Sequence, residues 1–185
     1  IGDKHPCFVT FEAGPTHDGF NTAINLVKEA SIAGANAIKF QIFDADKLVA
    51  DKKQIFKYSI LKSKESNVLE EVSEPLYDIL KRRSLTNSEW KLIKLEADSL
   101  GLAFFATIGF QEDLDLLVDI GCDSIKIASA DVNYNQLLRL AAKSGMNVQL
   151  DTGNADIEEI KNAVNILEEE GCQSIIIHQC PSGYP

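Results

Sequence analysis

Residues 121–129 read GCDSIKIAS and residues 34–41 read GANAIKFQ, the same phrase Gly-x-x-x-Ile-Lys opening two apolar runs and placing a lysine in the middle of each. A third copy, GCQSIIIHQ at 171–179, carries Ile176 where the lysine would stand. Short apolar runs bounded by Gly, Asp and Asn are the mark of strands covered on both faces, as the strands of a parallel sheet are. CFVTFEAG from Cys7, LAFFATIG from Leu102 and NVQLDTG from Asn147 have the same character. Between these runs lie helical patterns. NTAINLVKEASIAGA puts Ala23, Leu26, Val27 and Ala30 on one stripe, with Asn21 placed to cap it, and DIEEIKNAVNILEEEG does the same with Ile157, Ile160, Val164 and Leu167 before Gly171.

Strands alternating with helices build a parallel sheet through right-handed crossovers. An open doubly wound sheet and a (β/α)8 barrel both satisfy that pattern. The barrel is favoured, because the repeated phrase precedes strands that end in polar residues, and barrel enzymes collect their catalytic groups at the C-terminal ends of strands. No GxGxxG or GxxxxGK[ST] follows any strand. The expected fold class is therefore α/β of the (β/α)8 TIM-barrel type, with about the first six βα units present. One interval is too long for a plain connection: 43–85 is expected to be a lid or binding loop that folds back on the barrel through Ile55, Phe56, Tyr58 and Leu61.

Composition narrows the function classes. Among 185 residues, 28 are acidic and 18 are Lys or Arg, a formal net charge of -10, so neither nucleic acid nor an anionic membrane is an expected partner. No run of about 18 apolar residues spans a membrane, and the N-terminal segment lacks a charged-then-apolar leader, which points to a soluble, cytoplasmic protein. Cys7, Cys122, Cys172 and Cys180 show no CxxC spacing and sit in or beside strand segments, as reduced, packed thiols do.

Strand alternation then selects the candidate site. Ala37, Lys39 and Gln41 share one face and Ile38 and Phe40 the other; with the branched face against the helices, Lys39 points inward, and Lys126 follows beside Ser124 with Ser129 just past the strand end. A buried ammonium is costly unless it meets an anion, so two lysines converging on one mouth point to a phosphate or carboxylate ligand. Glu12, Thr107, Asp151 and Thr152 complete a polar ring at strand ends. His17 and His178 lack HxH or HExxH spacing, so His17 as a cap of its loop and His178 as a core histidine are favoured over a metal role for either.

FEAGPTHDG, GANAIKFQ, FFATIGF, GCDSIKIASAD, LDTGN and HQCPSGYP, in this order, resemble the sialic acid synthases, that is N-acetylneuraminate synthase and its relatives for legionaminic and pseudaminic acids. The resemblance implies a phosphoenolpyruvate-dependent barrel synthase in which phosphoenolpyruvate condenses with an N-acetylated hexose to a nine-carbon acid and releases phosphate. Lys39 and Lys126 match lysines that hold phosphoenolpyruvate, Thr107 and Ser129 match hydroxyls at its phosphate and carboxylate, and Glu12 matches a glutamate near the reacting carbons. Gln41, Asp131, Asp151, Ser182 and Tyr184 fall at substrate-binding positions. A divalent metal, manganese or magnesium, is implied, with ligands outside these residues, as is a homodimer of the whole protein.

The family commonly has Ser where this chain has Asp151, and Glu where it has Asp131. An aspartate beside phosphate is repulsive unless it is protonated, turned away or paired with a lysine. Six strands cannot close an eight-stranded barrel, so 1–185 is expected to be the N-terminal part of the synthase domain, with the remaining strands and a C-terminal antifreeze-like domain beyond it. A 3-deoxy-ulosonate phosphate type of synthase is a second reading, though only Arg82, Arg83 and Arg139 are available for a sugar phosphate. An inactive structural or interaction module is a third.

Overall fold

The computed structural model describes residues 2, 4–63, 65 and 67–181. The chain forms two compact units, Ile1–Ile42 with Leu85–Pro185, and Phe43–Ser84. The first unit is built on six strands: β1 (Thr10–Gly14), β2 (Ala37–Gln41), β5 (Ala103–Ile108), β6 (Ser124–Ile127), β7 (Asn147–Asp151) and β8 (Ile175–His178). They pair in that order, every pair parallel. Side chains from the inner face of all six strands, from Thr10 and Glu12 through Lys39, Phe105, Lys126 and Gln149 to Ile176, line one common cavity. The sheet is thus curved as an arc of a (β/α)8 barrel rather than opened as a doubly wound sheet.

The outer face is the core. Ile38, Phe40, Phe104, Ala106, Ile125, Ile127, Val148 and Leu150 are buried beneath α1 (Phe20–Ile32), α4 (Asn87–Ser99), α5 (Gln111–Asp119), α6 (Asn135–Lys143) and α7 (Ile157–Glu169). From α4, Trp90 packs its ring 5.5 Å from Phe40 and 6.4 Å from Phe104. The alternation is therefore as expected, apolar toward the helices and polar toward the barrel interior.

Several local expectations are corrected. Helix α1 starts at Phe20 behind Gly19, whose φ of 110° suits glycine, so Asn21 lies inside the helix and not at its cap. Ile157 is exposed as the first residue of α7, because the capping box of Asp156 and Glu159 sets the helix start there and turns that position to solvent. The first strand begins at Thr10, which leaves Cys7 exposed ahead of it; Cys122 is buried, and all four cysteines are free.

The second unit is not an irregular loop. It is an antiparallel hairpin of β3 (Ile55–Ser63) and β4 (Val68–Pro75), with α2 (Ala45–Leu48) before it and α3 (Leu76–Lys81) after it. Asp46 accepts hydrogen bonds from Lys81 Nζ at 2.8 Å and Tyr77 Oη at 3.0 Å, and Arg82 forks onto Glu74 with two contacts of 2.7 Å. Ile55, Phe56 and Leu61, expected to be covered, are each about half exposed. The hairpin satisfies its backbone by pairing, and its side chains do not form a buried face.

Candidate functional site

At the C-terminal ends of the strands, a cavity of about 570 Å³ is lined by Glu12, Lys39, Gln41, Thr107, Lys126, Ser129 and Asp151. Seven of the ten residues expected at a site are thereby brought together. Asp131, in the short 3-10 turn Ser129–Asp131, is half-buried but does not line this cavity, though its neighbour Ala130 does. Burial pushes its carboxyl above the usual range. Ser182 and Tyr184 lie outside the described residues.

Register explains the convergence. Gln41 pairs with Thr107 and Thr107 with Lys126, which puts these three on one level of the arc; Glu12, Lys39 and Phe105 share the level below. Neither lysine is without a carboxylate. Lys39 Nζ is 3.1 Å from Glu12 Oε1, with the Lys39 side chain 8% exposed and that of Glu12 57% exposed. Burial, reinforced by the charge of Lys126, pushes the Lys39 ammonium below its ordinary value against the pull of Glu12. A cation desolvated this far is poised for an anion.

Lys126 Nζ is 2.7 Å from Asp151 Oδ2, and both side chains are largely buried. Asp151 is thus the paired case among the three ways an acid is tolerated near phosphate. Its other oxygen, Oδ1, is 3.0 Å from His178 Nδ1. Burial acts to push this carboxyl up, but the hydrogen bonds from His178 and Lys126 and the charge of Lys126 outweigh it and hold it at about 2. Sequence alone favours a core role for His178 over a metal role and does not join it to Asp151. The signal was available: NVQLD and SIIIH are adjacent strands, and in register Asp151 faces His178 directly. His17 proves to be a core residue, fully buried with its ring 5.9 Å from that of Phe40 and 6.0 Å from Trp90.

The depressed Asp151 carboxyl has a consequence for acid stability. Its folded value lies below its ordinary 3.8, so its contribution is complete above about pH 4 and is lost as pH falls toward 2. Allowing for partial solvent screening, about 1–2 kcal/mol is involved. In urea unfolding, wild type should exceed Asp151→Asn by about that amount at pH 6, and the gap should narrow below pH 4. A gap that stays constant down to pH 2.5 contradicts this assignment.

The loops above the lysines are cross-linked. Gly153 N–H donates to Ser129 Oγ at 2.9 Å, and Thr152 Oγ1 donates to the His178 carbonyl at 2.7 Å. A Cβ on Gly153 would stand 3.0 Å from Ser129 Oγ and 3.3 Å from the Pro181 carbonyl, so any side chain there would push the ends of β6 and β8 back by a few tenths of an ångström. With its acceptor side occupied by Gly153, the Ser129 hydroxyl hydrogen is left to donate. Among the described residues no three His, Cys, Asp or Glu side chains come together to hold a metal ion, and no helix is long and apolar enough to cross a membrane.

Comparison with known proteins places this geometry. The model of the NeuB family matches residues 26–185. The chain is 33% identical over 186 residues to an uncharacterized protein of Methanocaldococcus jannaschii, covering 100% of this chain and 49% of that protein. It is 29% identical over 189 residues to the N,N'-diacetyllegionaminic acid synthase of Legionella pneumophila, covering 100% and 51%. Among solved structures, the N-acetylneuraminic acid (sialic acid) synthetase of Leptospira borgpetersenii, in complex with citrate, superposes with a TM-score of 0.82 at 32% identity, covering 100% of this chain and 57% of that one. The chain spans about half the length of the curated relatives it matches.

Proposed function

The chain belongs to the NeuB family, and from that premise we propose that it carries the phosphoenolpyruvate-binding part of a synthase joining phosphoenolpyruvate to an N-acetylated hexose, N-acetylmannosamine or a related acetamido sugar. The product is a nine-carbon sialic-type acid. The observation that carries this reading is the cavity in which Lys39 and Lys126 meet with the hydroxyls of Thr107 and Ser129. Two ammonium groups and two hydroxyls, one ammonium strongly desolvated, are the donors a ligand bearing both phosphate and carboxylate requires.

In the proposed reaction C3 of phosphoenolpyruvate attacks the aldehyde carbon of the open-chain sugar, whose oxygen gains a proton. Water adds at C2 and loses a proton, and the resulting tetrahedral carbon expels phosphate. Lys39, Lys126, Thr107 and Ser129 hold the phosphate and carboxylate and fix the enol face. Glu12, half in solvent and paired with Lys39, is assigned to proton transfer at the reacting carbons. Gln41 and Asp131 are assigned to the sugar, as are Ser182 and Tyr184.

The manganese or magnesium ion implied by the resemblance is proposed to take its ligands from outside these residues, and the steps assigned to this chain are binding, orientation and proton placement. The whole protein is proposed to be a cytoplasmic homodimer. The reading is tested by incubating the whole protein with phosphoenolpyruvate, manganese and N-acetylmannosamine or a diacetamido hexose. Phosphate release that requires both organic substrates, with a nine-carbon acid in the mass spectrum, is the expected outcome. Release that ignores every acetamido sugar overturns the acceptor class.

A further inference from the structure

Asp151 ties together three adjacent strands. Oδ2 meets Lys126 from β6 and Oδ1 meets His178 from β8, so ammonium, carboxylate and imidazole form one chain across the cavity wall. Because the carboxylate is ionised, it can only accept, and a neutral His178 must carry its hydrogen on Nδ1. Its Nε2 is then a bare lone pair. No partner holds Nε2 among the described residues, and His178 lines not the strand-end cavity but a neighbouring one of about 680 Å³, whose wall also includes Lys39, Lys126 and Glu12.

The surrounding charges show what such a ring does when an anion arrives. Glu12 from β1, Lys39 from β2 and Lys126 from β6 line the same cavity as the ring, Asp151 from β7 holds its Nδ1, and Cys180 lies just beyond its own strand. His5 and Cys7, ahead of β1, line the same cavity. Each lysine is matched by one carboxylate, so this inner face has no surplus positive charge. Phosphate oxygens, which are acceptors, would meet the Nε2 lone pair as a second acceptor. One proton on Nε2 turns that clash into a charge-assisted hydrogen bond and adds the missing positive charge.

We propose that His178 is the third cation of the anion site, becoming an imidazolium when a phosphorylated ligand docks, and that Asp151 is the residue that positions it. The proton comes from solvent on binding and returns to solvent when the ligand or its phosphate leaves; no other bond changes. The ligand's identity as phosphoenolpyruvate rests on the function proposed above, whereas the proton linkage rests on the side chains.

The test is calorimetric titration of the whole protein at pH 8 in two buffers of widely different ionisation heat, with phosphoenolpyruvate and, separately, inorganic phosphate as probes. The binding enthalpy should differ between buffers as for uptake of roughly half to one proton per site. Affinity should tighten by up to about tenfold per unit as pH falls from 8.5 to 7. In His178→Asn, whose amide still donates to Asp151 but cannot be protonated, the buffer and pH dependence should vanish and Kd should rise about tenfold. Asp151→Asn should also weaken the proton uptake. An enthalpy equal in both buffers in wild type, or uptake persisting in His178→Asn, overturns the proposal while leaving the synthase reading intact. If phosphoenolpyruvate gives no heat but phosphate binds with buffer-dependent enthalpy, the synthase reading falls and the His178 assignment stands. Binding of neither probe overturns both.

Discussion

Lys126→Ala should lower kcat/KM for phosphoenolpyruvate by about a hundredfold or more, because truncating one partner of a desolvated charge pair costs about 2–5 kcal/mol. Two effects add. The variant removes a cation from the ligand's path, and it uncovers Asp151, whose Oδ2 lies 2.7 Å from the lost ammonium. The cavity wall then turns a negative charge toward the phosphate. Removing that charge as well, in Lys126→Ala with Asp151→Ser, should recover about tenfold of the loss, a non-additivity expected of side chains in one network. Unchanged kcat and KM in the single variant would refute the anion role of Lys126, and no recovery in the double variant would refute the unmasking of Asp151.

Trp90→Ala is the substitution expected to harm stability most, by about 3–5 kcal/mol, as buried Trp and Phe truncations do. Trp90 is 2% exposed and packs edge-on against Phe40 and at a tilt against Phe104, outer-face residues of β2 and β5. Against a total stability of about 5–15 kcal/mol for a domain, such a loss is a large fraction. It should appear as a lowered urea midpoint of the whole protein, with Trp90→Phe recovering much of it. The effect reaches the cavity too, since Phe40 is the chain neighbour of Lys39 and a shift of β2 into the void would move the ammonium. A change below 1 kcal/mol in Trp90→Ala would show that the outer core does not depend on this side chain.

What could be read in the sequence depended on the range of the interaction. Lys39 and Lys126 were placed inward correctly because strand alternation is a two-residue rule, decided by Ile38, Phe40, Ile125 and Ile127 beside them. The alternation of strand and helix gives a parallel sheet, and the polar ends of the strands that follow the repeated phrase favour the barrel order over the doubly wound one. The pairing of Asp151 with His178 was not read, because 27 residues separate them and only the parallel register of β7 and β8 brings them face to face. The hairpin at 55–75 escaped because its apolar and charged residues fall on both faces of each strand, as Ile55, Phe56 and Lys57 show. Its local signal is Asn67, which takes a φ of 51°, a left-handed conformation that asparagine tolerates, just ahead of the second strand. His17 was ambiguous by composition alone; Trp90, 73 residues away by the sequence numbering, decides it as a core ring.

The two carboxylates beside the lysines also change what binding means at this cavity. Glu12 and Asp151 are rivals held on short tethers, and a tethered competitor acts at an effective concentration of about millimolar or above. Any incoming anion must win an exchange before it gains an ammonium. Chloride, with one charge and one contact, gains too little from either lysine to displace a partner that never diffuses away. A phosphoryl ester, spreading several oxygens over both ammonium groups at once, gains enough. For the ligand proposed, the two resting ion pairs set a threshold that a polyvalent anion crosses more readily than chloride does.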